Sequence, residues 1–418
     1  MPIKRDNVNR TAIMIYIFIL FTYGFWINFT GISIVIDIAS LIVFACWIIG
    51  GSKRIAIDNT GVVYPLIFLF CVGVVLIAVV KSYSPRMSAL GARDYFEFIL
   101  IGIMAAHLLY EEEDYERILT FIERIGICIC VFGLIQYVFN AVLPDNLLHV
   151  RSGVISYVYG LGALKYRINC LYENSIVCAG VIVFVFSVEF GRLLVYGKSA
   201  ARLASLVIVV AACWLTYSRT AFIGLLLVAC IEYLFVSKSN RGKRAVLIAI
   251  ALLALLFVAL NFMSDSYMIR RLLGEGDATV VSNTVHSSTR TVAIEKIKEN
   301  WLLGVGMGTQ GYDSSGSTIR YIRDGAWYTF ALELGLPLTL VYALVLTLSI
   351  KKFIYDLKNN SSPFVTWITL ACFSSTAYFF VAGFTGSAYN AKECFGLMWI
   401  ITAMQYNANI VGGGYSHY

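Results

Sequence analysis

Charge is scarce in this sequence. Of its 418 residues only 14% are Asp, Glu, Lys or Arg, about half the share of an ordinary soluble domain, while 59% are hydrophobic. That balance excludes a soluble globular domain, a disordered chain and a collagen-like repeat. No polybasic run is present, so nucleic acid is not indicated as a partner. Cysteine is nearly absent from the loops: positions 46, 71, 128, 130, 178, 213, 230, 372 and 394 fall in apolar stretches, and only Cys170 lies in a predicted loop. Such placement offers neither a CxxC metal site nor a disulfide framework. His107, His149 and His417 lack partners at metal-ligand spacing, so no metal and no cofactor is expected. Lys4, Arg5 and Arg10 precede an apolar run in the manner of a signal peptide. That run lacks a small-residue cleavage site and leads directly into a second, which marks a retained helix.

What the chain has in abundance is apolar length. Stretches of about twenty residues recur between short charged clusters, the pattern of a polytopic helical membrane protein, because lipid forces an open chain to satisfy its backbone in helices. The expected spans are 11–29, 32–50, 62–80, 95–110, 118–139, 173–190, 203–217, 221–236, 245–263, 326–349, 363–383 and 394–411, about twelve transmembrane helices in an all-α fold. With a cytoplasmic N-terminus, sixteen Lys and Arg fall in cytoplasmic segments, against five in the short outer loops: Lys81, Arg86, Arg93, Arg219 and Lys392. This asymmetry fits the positive-inside rule and puts both termini in the cytoplasm.

The chain divides into helices 1–9 over residues 1–263, a large outer (periplasmic) loop over 264–325, and helices 10–12 over 326–418. A smaller outer loop covers 140–172, and no repeat of 20–50 residues is visible. In the large loop, residues 290–301 read as a helix. On a 100° wheel Ile294, Ile297 and Trp301 fall within about 40° of Arg290, so an arginine shares the apolar stripe.

Arginines crowd the outer face: 151, 167, 219, 270, 271, 290, 320 and 323. Guanidinium groups grip phosphate or diphosphate bidentately, and the alternative is anchoring to lipid headgroups. Arg219 in the tight turn Thr216-Tyr217-Ser218-Arg219-Thr220, Arg290 on its apolar face and Arg167 just before a span are the strongest anion-site candidates, since charge held at such depth is costly. Arg323, Arg320 and Arg151 are secondary, with His286, the large loop's only histidine. Gly306-Met307-Gly308-Thr309-Gln310-Gly311 matches GxGxxG but follows a helix, which suits a close backbone approach better than a dinucleotide. Outer acids that qualify as a base are Glu173, Asp313 and Asp324. Asp324 sits where the chain returns to the membrane, as a helix cap, a base or both. Asp37, Glu97 and the adjacent Glu123 and Arg124 lie inside spans and read as polar pairs between helices.

Four segments resemble the bacterial O-antigen ligase/polymerase superfamily: Arg167-Ile168-Asn169-Cys170-Leu171-Tyr172-Glu173-Asn174, Ser218-Arg219-Thr220-Ala221-Phe222, Asn300-Trp301-Leu302-Leu303-Gly304-Val305-Gly306-Met307-Gly308 and Leu332-Glu333-Leu334-Gly335-Leu336-Pro337. The resemblance spans roughly residues 160–345. It implies a metal-independent glycosyltransferase of the multi-spanning type C (GT-C) architecture in the bacterial inner membrane, with a periplasmic active site and an undecaprenyl-diphosphate-linked glycan as donor. The ligase branch carries a histidine about nine residues before the Glu-Leu-Gly motif. Counting back from Glu333 gives Asp324, which departs from that pattern and favours the polymerase (Wzy-like) branch.

The expected function is therefore a surface-polysaccharide (O-antigen) polymerase. Its partners would be undecaprenyl-diphosphate-linked oligosaccharides as donor and acceptor, membrane lipids and a chain-length regulator. Arg219, Arg290 and Arg167 would hold the diphosphate and Asp324 or Glu173 would serve as the catalytic carboxylate. The alternatives are a ligase acting on lipid A core or protein, and a twelve-span transporter or flippase.

Overall fold

The computed structural model describes residues 2–30, 34–50, 61–82, 84–109, 111–143, 157–160, 163–236, 242–248, 250–251, 269, 277–310, 325–360, 362–386 and 391–411. In chain order the elements are α1 (Pro2–Thr30), α2 (Val35–Gly50), α3 (Val63–Val80), α4 (Pro85–Leu108), α5 (Glu112–Val138), β1 (Tyr157–Gly160), β2 (Ala163–Tyr166), α6 (Ser175–Tyr196), α7 (Ala200–Leu215), α8 (Arg219–Phe235), α9 (Asp277–Glu299), α10 (Ala326–Asn359), α11 (Pro363–Ala382) and α12 (Lys392–Val411). The chain is a helical multi-pass membrane protein. Among the described residues six helices are long and apolar enough to cross a membrane: the Asn7–Ile27 part of α1, and α3, α5, α6, α10 and α11, while α2 and α7 are shorter apolar helices. The expected span 245–263 lies largely outside the described residues. Among the described residues, the departure from an all-helical chain is a small antiparallel hairpin, β1 with β2, in which Tyr157 faces Tyr166 and Gly160 faces Ala163.

Helix boundaries follow from local chemistry. Asn174 caps α6 by accepting from the Ile176 and Val177 amides at 2.9 and 3.0 Å, and Ser199, Ser218 and Ser362 cap α7, α8 and α11. Pro85 and Pro363 open α4 and α11, where a missing N–H costs nothing. In the centre stands α6, with 83% of its apolar window buried, packed against α5, α7, α8, α11 and α12. By contrast α3 buries only 28%, and α2 and α3 expose Leu41, Ile49, Phe68 and Val79, the large apolar surface expected of a lipid-facing helix.

Because successive helices reverse direction, two sets of helix ends gather at opposite ends of the bundle. One, here termed the hairpin end, holds the starts of α4, α6, α8, α10 and α12 and the ends of α3, α5, α7 and α11. There α10 is broken at Gly335, whose φ of 76° a side chain would resist, and Pro337 follows. The break frees backbone groups that the loop after α9 takes up: the Val305 amide donates to the Leu332 carbonyl at 2.6 Å and the Leu336 amide to the Trp301 carbonyl at 2.7 Å. The glycine segment then passes between α10 and the α3–α4 corner. A Cβ at Gly306 would lie 2.2 Å from the Lys81 carbonyl, and one at Gly308 would lie 2.2 Å from that of Met87. Close backbone approach is what these glycines provide.

The loop helix differs from its expected form. It starts at Asp277 rather than 290 and ends at Glu299 rather than 301, and Ile294 and Trp301 are exposed. Ala293 and Ile297 form the buried contact, against Ala331 and Leu332 of α10. A wheel weighted by large apolar residues passes over alanine, the residue small enough to let two backbones approach. Arg290 lies one turn before Ala293 and is half-buried.

Candidate functional site

The segment from Tyr166 to Asn174 is laid across the turn between α7 and α8. Arg167 donates from Nε to the Thr216 carbonyl at 2.8 Å, and the Ile168 amide donates to the Leu215 carbonyl at 3.2 Å. Thr216 and Ser218 brace the turn, the Ser218 amide donating to Thr216 Oγ1 at 3.2 Å, while Tyr217 adopts a left-handed φ of 49°. Non-glycine residues seldom occupy that region, and they cluster at functional sites. Arg219 is the first residue of α8 and half-buried. Two arginines far apart in sequence are thus brought to one turn, each with its charge near the end of a membrane helix.

The other side of this region is the return to the membrane. The Ala326 and Trp327 amides donate to the Gly386 and Gly383 carbonyls, each at 3.2 Å, and Trp327 Nε1 donates to the Phe380 carbonyl at 2.8 Å. The same α11 terminus reaches α8, where Thr385 Oγ1 stands 3.4 Å from Thr220 Oγ1. The starts of α8 and α10 and the end of α11 therefore meet beside Arg219. Asp324, Arg320, Arg323 and Arg151 lie outside the described residues.

Glu173 is half-buried beside the Asn174 cap and within electrostatic reach of Glu393, a buried residue of the first turn of α12. The neighbouring Tyr172 is fully buried, and desolvation pushes its phenol well above the ordinary range, which keeps it neutral. On α9, Arg290 and His286 sit one turn apart, both half-buried. The Arg290 Nε is buried and has no hydrogen-bond partner among the described residues. Since α9 contacts both α10 and β1, it stands between the hairpin that leads to Arg167 and the start of α10.

Some polar positions escaped the sequence reading. Glu333, quoted only as part of a motif, is 1% exposed and accepts from Tyr95 Oη and from the Gln310 amide, both at 2.7 Å. It ties the end of the glycine segment to α4 and α10. A carboxylate in an apolar span must find such partners, and this alone flagged it. Glu189 and Glu232, fully buried in α6 and α8, carried the same signal. Of the four residues read as polar pairs between helices, three are paired, whereas Arg124 is exposed. Asp37 binds Arg93 at 2.9 Å, Glu97 accepts from Ser40 at 2.5 Å, and Glu123 pairs with Arg192 of α6.

The site can be set against known proteins. Residues 204–343 match the family model described as O-antigen ligase. The match covers about a third of the chain, from α7 to the middle of α10, and includes Arg219, Arg290, the glycine segment and Glu333. Arg167 and Glu173 fall before it. No curated protein matches the chain. Over that third, the match supports a membrane enzyme of the O-antigen ligase and polymerase type.

Proposed function

We propose that the chain is a surface-polysaccharide polymerase. It moves a growing glycan from undecaprenyl diphosphate to a sugar hydroxyl of an incoming lipid-linked repeat unit, at the periplasmic face of an inner membrane. The observation that carries this reading is the contact of Arg167 with Thr216, which places Arg167 on the Arg219 turn at the hairpin end. In the reaction the bond between the anomeric carbon and the diphosphate breaks while the acceptor oxygen bonds to that carbon. Negative charge develops on the leaving diphosphate, and fixed cations there lower the barrier most where water is excluded. Arg167 and Arg219 supply two, and Arg290 a third from α9. Arginine suits the task because its planar fork meets phosphate oxygens in pairs. A carboxylate takes the acceptor proton. We assign this to Asp324, whose neighbour Gly325 leads the α10 start packed on α11 beside Thr220, with Glu173 as the second candidate.

Purified protein in detergent, given single undecaprenyl-linked repeats, should produce a ladder of longer lipid-linked chains. Unchanged repeats would remove the polymerase reading. The match to an O-antigen ligase family favours a second reading, ligation, and host strains separate the two. A polymerase-deletion host should regain long chains, whereas rescue of a ligase-deletion host would establish the ligase. The orientation has its own check: a Ser314→Cys variant should react with an impermeant thiol reagent in intact spheroplasts, and reaction only after lysis would place the hairpin end in the cytoplasm.

A further inference from the structure

The sequence scatters its cysteines over apolar stretches, yet the fold brings four of them together behind the candidate site. Cys130 of α5, Cys170 of the Arg167 segment, Cys178 of α6 and Cys213 of α7 are all buried, with 1% exposure or less. Cys130 neighbours both Cys170 and Cys213, and Cys178 Sγ lies 3.3 Å from Cys170 Sγ. The surroundings hold Cys170 in place. Its φ is 52°, its carbonyl accepts from Gln136 Nε2 at 2.8 Å, and a Cβ on Gly133 would come within 2.6 Å of its sulfur. Among the described residues no group of three or more His, Cys, Asp or Glu is placed to hold a metal ion. Two thiols in contact, next to a helix start, are a covalent pair in waiting.

We propose that Cys170 and Cys178 form a disulfide that staples the segment carrying Arg167 and Glu173 to the first turns of α6. The proposal rests on the outward orientation of the hairpin end, because disulfides persist in oxidising compartments. The chemistry is exchange with an oxidant of the protein-disulfide class. One cysteine, as thiolate, attacks the oxidant's disulfide and releases one of its sulfurs. The second thiolate then displaces the other, so the oxidant leaves as a dithiol with the two protons and two electrons of the cysteine pair. Since both sulfurs are buried in the folded chain, the exchange precedes docking of the segment, and the finished bond is shielded from reductant.

The test uses the unmodified full-length protein, purified from membranes without reductant and treated with iodoacetamide in denaturant. Cleavage after Glu173 cuts between the two cysteines. The two resulting peptides should remain joined until dithiothreitol is added, and neither cysteine should carry the alkyl group. Quantitative alkylation of both would overturn the proposal, as would a link from either one to Cys130 or Cys213. In a Cys178→Ser variant Cys170 should become fully alkylated; if it stays blocked, the pairing is wrong. The Ser314→Cys labelling separates the two kinds of failure. Free thiols at 170 and 178 with Ser314→Cys labelled from outside defeat the disulfide alone, whereas no outside labelling defeats the orientation beneath it.

Discussion

The two ends of the bundle differ in how much backbone strain they hold. At the end away from the hairpin, Asp356 accepts from Lys352 Nζ at 2.5 Å, Gln405 Nε2 at 2.6 Å and Asn409 Nδ2 at 2.9 Å, and Arg10 meets Asp114 at 2.6 Å. These groups are bound to each other and hold helices together. The hairpin end has ion pairs of its own, Arg93 with Asp37 and Asp94 and Lys392 with Asp94, but there the backbone is strained as well. Of the described residues with left-handed φ, Cys170, Tyr217 and Gly304, Gly306, Gly308, Gly325 and Gly335 all lie there, and Gly197 alone lies at the other end. Arginines stand on the strained turn, and Arg290 Nε lacks a protein partner among the described residues. Stored strain belongs where a ligand is handled, while ion pairs that join helices belong where the fold is served.

The largest effect should come from removing hairpin-end charge. Arg219→Ala and Arg290→Ala are each expected to abolish long-chain polymer with normal insertion, since one lost transition-state contact of this kind costs about 100- to 1000-fold in rate. Arg219→Lys and Arg290→Lys should remain impaired, because a point charge does not replace a fork. Lys298→Ala, on the exposed face of the same helix, should leave the ladder unchanged. Normal ladders from both alanine variants would dissolve the contrast between the ends.

A second effect separates holding from handling. Asp356→Ala leaves Lys352 buried and unpaired, a loss of about 3–5 kcal/mol. It should reduce the amount of folded protein and leave polymer per folded molecule unchanged. Glu333→Gln keeps one acceptor for Tyr95 and Gln310 in place of two, a loss of about 1–3 kcal/mol. It should lower polymer per folded molecule by loosening the glycine segment, although its melting temperature falls less. Quantifying polymer against detergent-extracted protein distinguishes them, and equal scaling with protein level in both variants would refute the division.

How much of this was legible in the sequence follows from the range of each interaction. The apolar stretches announce themselves locally, and so does the expense of Arg219 in a tight turn between two of them. The partner of Glu333 does not, because Tyr95 lies 238 positions away and nothing near either residue names the other. Cys170 and Cys178 are close in sequence, but their contact depends on a left-handed turn at Cys170 that no propensity suggests. The face of α9 was misjudged for a different reason, since the helix packs through Ala293, and apolar patterning gives alanine little weight. What sequence conveys here is which groups are costly to bury; which partners meet that cost is a property of the packed bundle.

The smallest effect tests whether strain at the hairpin end differs in kind from strain elsewhere. Gly306 and Gly197 both have positive φ, 109° and 86°, so alanine at either position is penalised by about 1–3 kcal/mol through the backbone alone. Their surroundings differ. A Cβ at Gly306 meets the Lys81 carbonyl at 2.2 Å, a backbone atom that cannot swing aside, whereas nothing lies within 4 Å of one at Gly197. Gly306→Ala must therefore push the glycine segment off the α3–α4 corner and disturb the Gln310 amide that Glu333 accepts. Thermal melting in detergent should show a clear drop for Gly306→Ala together with loss of polymer per folded molecule. Gly197→Ala should show only the backbone penalty, with the ladder intact. Equal shifts and equal ladders for the two variants would mean that the close approach at Gly306 is loose enough to yield, and that the hairpin end is strained in conformation but not built to a fixed shape.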